Sequence, residues 1–352
     1  MRIKCSKLLF VNSLDSSGIG DFGKSLFSGI SPDRVEKNYL NTSNTLRSLF
    51  NNWVKIFNFS GKVLVNLGFT SYGKSRFLNF ANFLLIYLHS SLFSGRIEVI
   101  LHDSPDLPVN DVSGYEHFNL IRFGGAIATK LLKNIQLHVF SVTLFSILTN
   151  KYGLTKVHFH PFPCLEDSEP VSSDKTDFSV ISIGYIAPYK GLEIIHSIKQ
   201  EIPDVDFIIG GSNHPVLSKT EKGRDYITNL LSLLSEVGVD FRGYVSEKEI
   251  RDLLSKRRLI GILPYKATSG SSYAATYFME LGIPLITSDL PEFRCLYEYG
   301  AGIFLSDRNT ESFTQKILEL KKDLSLYQDL VKRATSYCKR YSVENFLDEI
   351  GI

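Results

Sequence analysis

Lys190 and Gly191 stand at a strand-to-helix turn in the run Tyr-Ile-Ala-Pro-Tyr-Lys-Gly-Leu-Glu, 185–193. A lysine beside a glycine and close to helix N–H donors can neutralise a phosphate, although a solvated turn lysine would read the same way. Phe207–Gly211, F-I-I-G-G, ends in glycines that let a backbone turn sharply or approach a ligand closely; Gly211 is the candidate contact. In Thr268-Ser269-Gly270-Ser271-Ser272, Gly270 with the N–H groups of Ser271 and Ser272 would make an anion cradle ahead of a helix. Plain N-capping by Ser269 or Ser272 is the simpler alternative. Near the start, S-S-G-I-G-D-F-G-K-S-L at 16–26 offers Gly18 and Gly20 for close backbone approach. Gly68–Ser75 fits G-x-x-x-x-G-K-[ST] after an apolar run, so in a P-loop Lys74 would reach the β/γ-phosphates while Ser75 and Asp103 held Mg²⁺. His158 and His160 alternate as strand neighbours do, and two histidines are too few for a metal site.

The elements that must carry these residues alternate between short β-rich runs and longer helical stretches, which predicts parallel sheets covered by helices on both faces. The expected strands are Lys7–Asn12, Lys62–Leu67, Ile97–Asp103, Leu137–Ser141 and Lys156–Phe159, then Phe178–Gly184, Val205–Gly210, Val239–Val245, Leu259–Pro264, Pro284–Ser288 and Gly302–Leu305. A helix is expected from Leu192 to Lys199 and another from Tyr273 to Leu281, stopped by Gly282. The polar stretch 166–177 reads as a linker, giving an N-terminal domain at 1–165, a C-terminal domain at 178–335 and a last helix at 336–352 that can pack back on the first domain. In such sheets ligands bind beyond the carboxyl ends of the strands, and with two domains the cleft between them is the default site.

With 352 residues and 43% hydrophobic content the chain supports two cores, and disordered or disulfide-stapled classes are excluded. The net charge of +2 conceals an uneven split: residues 1–165 hold 17 Lys/Arg and 9 Asp/Glu, a net +8, leaving 22 against 28 in 166–352, a net −6. Cys5, Cys164, Cys295 and Cys338 form no C-x-x-C pair and the first residues do not resemble a signal peptide, so a cytoplasmic setting is expected. Residues 77–93 are strongly apolar but contain Asn79, Asn82 and His89, which is too polar and too short for a span of about 20 apolar residues. A buried or surface-associating helix is expected there.

Four ordered motifs, G-Y-I-A-P-Y-K-G at 184–191, I-G-G at 209–211, F-R-G-Y-V at 241–245 and F-M-E-L-G-I-P-L-I at 278–286, resemble the C-terminal domain of GT-B glycosyltransferases of family 4. The likeness covers residues 178–345, and the 16–26 loop resembles the Gly-rich loop with which such enzymes open. It implies an α/β GT-B fold: two doubly wound Rossmann-like domains facing a central cleft. The implied activity is transfer of a sugar, with retention of configuration, from a nucleotide-sugar to a saccharide or lipid-linked hydroxyl. Lys190, Gly211 and 269–272 would hold the donor, with Gly18 and Gly20 opposite. The segment V-I-L-H-D-S-P-D-L-P at 99–108 would place His102, with Asp103 and Pro105, beside the anomeric carbon; His117 and Arg122 would face the acceptor. No cofactor and no metal is implied, and no Asp-x-Asp is present to hold one.

The chain departs from the family at Tyr185, where a phosphate-binding arginine is usual, and at Ser269 and Tyr277, where two glutamates are usual. Glu280, about one helical turn beyond Tyr277, would supply a shifted ribose contact or stand as an exposed helix glutamate. The alternatives are a P-loop NTPase and a catalytically silent GT-B partner subunit. The basic first domain further suggests contact with an anionic membrane, and no nucleic-acid motif accompanies its charge.

Overall fold

The computed structural model describes residues 7–12, 18–32, 35–41, 45–68, 76–104, 106–107, 118–165, 175, 177–214, 217–268 and 270–352. Two six-stranded parallel sheets divide the chain. The first contains β1 (Lys7–Asn12), β2 (Glu36–Asn41), β3 (Lys62–Leu67), β4 (Ile97–Leu101), β5 (Gln136–Val139) and β6 (Val157–Phe159), in the order 2-1-3-4-5-6. The second contains β7 (Phe178–Ile183), β8 (Asp206–Gly210), β9 (Asp240–Gly243), β10 (Arg258–Leu263), β11 (Leu285–Ser288) and β12 (Ile303–Ser306), in the order 12-11-10-7-8-9. Counted within its own domain, that second order is 3-2-1-4-5-6 read from the other edge, the arrangement of dinucleotide-binding sheets. β1, β3, β7 and β10 therefore flank the two points where strand order reverses, and the crevices beyond their carboxyl ends are the places built for ligands.

Eleven of these strands fall on the runs expected from sequence; β2, with the pattern Glu-Lys-Asn-Tyr-Leu-Asn, was not expected. Only Leu40 of β2 is buried, because it is an edge strand bonded to β1 alone, so it carries no apolar run by which to recognise it.

Helices cover both faces of the first sheet. On one side pack α1 (Gly18–Gly29) and the last helix, with Phe22, Leu26, Val343, Phe346 and Leu347 meeting Leu8, Phe10 and Leu64 of the strands. On the other side α2 (Leu46–Asn58), α3 (Arg76–Leu92) and α4 (Phe118–Leu131) lie over Val63, Val65, Val99 and Leu137. Alternate residues of β1 and β3 serve opposite faces, as the period of a strand requires. α5 (Val142–Ser146) follows β5, capped by Ser141. The second domain carries α6 (Ile194–Glu201), α7 (Glu221–Glu236), α8 (Glu247–Lys256), α9 (Tyr273–Glu280), α10 (Pro291–Glu298), α11 (Thr310–Lys322) and α12 (Leu324–Arg340).

The chain then crosses back. Cys164 N–H donates to Tyr341 C=O at 2.8 Å and Val343 N–H to Cys164 C=O at 3.1 Å, so the outgoing and returning strands of the crossing run side by side before α13 (Val343–Glu349) docks on the first domain. Residues 166–174 of the linker lie outside the described residues, as do 69–75 of the P-loop-like motif, Ser269, Pro105 and His117; the side chain of Arg122 is likewise not described. Among the described residues no helix is long and apolar enough to cross a membrane.

Candidate active site

On the first domain the site begins at the carboxyl ends of β1, β3 and β4. Asn12 ends β1 and Asn66 lies near the end of β3; both are fully buried, and both turn their amides toward the first turn of α1. Asn66 Nδ2 donates to Ile19 C=O (2.9 Å) and Asn12 Oδ1 (2.8 Å), while Asn12 Nδ2 donates to Gly20 C=O and Tyr39 Oη, each at 2.9 Å. Backbone carbonyls can only accept, so Ile19 and Gly20 fix which end of each amide faces them. Gly18 and Gly20, expected in a loop against the ligand, thus form the first turn of α1, and the asparagines pin that turn to the sheet.

The same network sets the state of His102. Its Nε2 lies 2.6 Å from Asn66 Oδ1, which must accept; Nε2 therefore carries the proton and Nδ1 keeps a lone pair. Phe22 and Phe140 pack on the ring, with centroids 5.1 and 5.9 Å away, and desolvation pushes its pKa down to about 3. The imidazole is neutral: it can accept a hydrogen bond from a hydroxyl and, as an uncharged base, tolerate positive charge nearby. Asp103 follows it, half-buried.

The second domain contributes the ends of β7 and β10. Lys190 sits in the short helical turn Pro188–Lys190, buried, its Nζ bonded to the Tyr265 hydroxyl and 4.2 Å from that ring's centroid. Burial without a carboxylate partner lowers its pKa. An incoming anion would meet a desolvated ammonium that, among the described residues, is hydrogen-bonded to a phenol and to no carboxylate. Tyr265 was not singled out from sequence. Tyr185, in the place of the usual arginine, turns its ring edge to His214 at 5.7 Å.

The loop after β10 reaches across the cleft. Gly270 adopts φ +127°, and a Cβ there would lie 2.9 Å from His102 C=O, so glycine is required both by the backbone and by the opposing domain. Ser271 Oγ donates to Phe140 C=O at 2.5 Å. Ser272 caps α9 by accepting from Ala275 N–H at 3.3 Å. Among the described residues the N–H groups of Ser271 and Ser272 have no protein acceptor.

Three expected residues have other duties. A Cβ on Gly211 would stand 2.0 Å from Gly184 C=O, so the close approach expected there is between neighbouring strand ends of the chain itself. Glu280 is buried and not exposed on its helix; its Oε1 accepts from Leu165 N–H at 2.5 Å, at the crossing between domains. Tyr277 is half-buried and stacks on Tyr273 at 6.0 Å. His160 Nε2 lies 3.0 Å from His138 Nδ1 and His158 Nε2 lies 2.6 Å from Gln136 Oε1; two residues apart along the chain, both rings pack on His138, with centroids 5.2 and 5.6 Å away.

Glu292, not singled out from sequence, proves central. It is buried near the start of α10, where Oε1 accepts from Ser141 Oγ (2.9 Å) and Thr143 N–H (3.3 Å) and Oε2 accepts from Thr268 Oγ1 (2.6 Å). One carboxylate thus ties the start of α5 in the first domain to the 268–272 loop of the second. Charge-assisted bonds of this kind are worth about 1.5–3 kcal/mol each.

Residues 165–337 match the family model of glycosyl transferases group 1. Over those residues the second domain is that of a group 1 glycosyl transferase, and the fold of the whole chain is GT-B. Its fold is that of HepE from Anabaena, solved in complex with UDP, at TM-score 0.69 and 13% identity over 98% of both chains. Sucrose-phosphate synthase from Thermosynechococcus elongatus superimposes at TM-score 0.70 with 12% identity, covering 98% of this chain and 97% of that one. A glycosyltransferase from Rickettsia africae does so at 0.62 with 13% identity, over 98% and 96%. By sequence alone, no curated protein matches. The GT-B architecture accounts for both halves of the chain, whereas residues 69–75 of the P-loop-like motif lie outside the described residues.

Proposed function

We propose that this glycosyltransferase moves a sugar, with retention of anomeric configuration, from a nucleoside-diphosphate sugar to a hydroxyl of a saccharide or lipid-linked acceptor. One observation carries the reading: His102 of the first domain and the Gly270 loop of the second meet across the cleft, with Lys190 in the turn that follows β7 and bonded to Tyr265. In this reading the Lys190 ammonium faces the oxygens of the donor diphosphate, with the N–H groups of Ser271 and Ser272 as further donors. Negative charge that develops on the leaving diphosphate is stabilised there by groups already in place. Neutral His102, through Nδ1 or its carbonyl, faces the sugar as the anomeric carbon gains positive character. The leaving phosphate assists removal of the acceptor proton, so no protein nucleophile is required, and the reading requires no divalent metal. Domain closure excludes water from the reacting centre.

Solved HepE complexes contain UDP, UDP with glucose, and UDP-glucose, which makes uridine donors the first to try. A thermal-shift screen against UDP, GDP and their sugars tests the proposal, with Lys190→Ala and Lys74→Ala in parallel. The expected result is stabilisation by one nucleotide family that Lys190→Ala abolishes and Lys74→Ala leaves intact. Loss of nucleotide binding in Lys74→Ala alone would overturn it.

A further inference from the structure

Seventeen large hydrophobic side chains are exposed among the described residues, and ten of them lie on α2, α3 and α4. These three helices are neighbours in one layer over the first sheet: Trp53 Nε1 of α2 donates to Asn82 of α3 at 3.0 Å, and α3 packs on α4. Each buries one stripe in the core and presents a second, also at helical spacing, outward. On α2 it is Leu46, Phe50 and Val54; on α4 it is Phe123 and Ile127. Phe50, Leu92 and Phe123 are 70%, 68% and 69% exposed. Between α2 and α3 runs a groove of about 430 Å³ lined by Phe50, Trp53, Phe57 and Leu85. Elsewhere the exposed hydrophobics are mostly tyrosines, whose hydroxyls suit them to water; a contiguous layer made mostly of Phe, Leu, Ile and Val has no such group.

Charge identifies what covers it. The helices hold 13, 17 and 14 residues and no Asp or Glu, although the chain's 37 acidic residues in 352 would place four or five there. They carry five Lys/Arg, and Arg47, Lys55 and Lys130 are exposed, with Arg96 and Lys133 close by in the following turns. A symmetric dimer through this face would set cation against cation with no carboxylate on the three helices to receive either. An anionic lipid surface satisfies both halves of the pattern, taking apolar stripes into the headgroup and acyl boundary and cations against phosphate.

We propose that the outer face of α2, α3 and α4 docks on an anionic bilayer. The helices follow the strands, so the beginnings of α3 and α4 lie at the end of the sheet where His102 sits; docking would bring the cleft to the membrane. The benefit to a lipid-linked acceptor rests on the glycosyl-transfer reading, whereas binding itself does not.

The test is flotation of the full chain with phosphatidylcholine vesicles, with and without phosphatidylglycerol, beside sedimentation of the protein alone. The expected result is binding that needs phosphatidylglycerol and weakens with salt. Phe50→Ser/Phe123→Ser and Arg47→Glu/Lys55→Glu should each weaken it by about tenfold or more, all four positions being exposed and safe to change. The nucleotide thermal shift, unaltered in these variants, certifies their folding and separates the two readings: its absence from the wild type would count against glycosyl transfer and not against docking. Wild-type binding that ignores lipid charge, variants that bind as the wild type does, or a dimer that Phe50→Ser/Phe123→Ser dissolves would each overturn the proposal.

Discussion

His102→Gln tests the claim that the imidazole is neutral. The ordinary histidine value is 6.5 and the folded value is about 3, so from pH 7 to pH 5 the unfolded chain takes up a proton at this position that the folded chain refuses. A depressed histidine therefore costs stability as pH falls: the loss begins near 6.5 and grows until the folded pKa is reached. Linkage puts it at about 2 kcal/mol between pH 7 and pH 5 from this residue alone. Glutamine keeps an amide donor for Asn66 but does not titrate. Urea unfolding of both proteins at pH 7 and pH 5 should show the wild type losing about 2 kcal/mol more than the variant over that interval. His89, His160 and His214, also depressed by burial, are common to both and cancel. Equal losses would mean that folded His102 takes up its proton normally, and the argument for a bare Nδ1 facing the sugar would fail.

Lys190→Ala should weaken nucleoside diphosphate binding by about 10- to 100-fold, the worth of one charge-assisted bond, as read by calorimetry. Glu292→Ala leaves Ser141, Thr143 and Thr268 without their acceptor; unfolding should show a loss of about 2–4 kcal/mol, and kcat/KM should fall with it. Glu292→Gln should recover part of both, since Oε1 can still accept. Transfer should proceed unchanged in EDTA, followed by release of nucleoside diphosphate.

The parallel sheets were legible because buried strands are continuous apolar runs, and the edge strand at 36–41 was not because it buries a single side chain. Lys190 and the 268–272 loop were legible because glycines and hydroxyls at a strand end already state a backbone shape. What sequence could not show was partnership across distance. Asn12 and Asn66 are 54 residues apart, Ser141 and Glu292 151 apart, and each reads alone as an ordinary polar residue. Cys164 and Cys338, unpaired by spacing, meet at 2.7 Å in the core for the same reason. Gly211 is a donor candidate by its place at a strand end and Glu280 by its place one turn beyond Tyr277; the contacts they make within the chain, to Gly184 C=O and Leu165 N–H, come from residues distant in sequence.

The central claim is that a nucleotide-sugar is consumed at the Lys190 side of the cleft. The direct measurement is nucleoside diphosphate release by the purified protein from a panel of UDP- and GDP-sugars, for wild type, Lys190→Ala and Lys74→Ala. One donor should be turned over, at a rate that Lys190→Ala lowers at least about tenfold and Lys74→Ala leaves unchanged. Release from no donor, together with ATP hydrolysis that depends on Lys74, would contradict it.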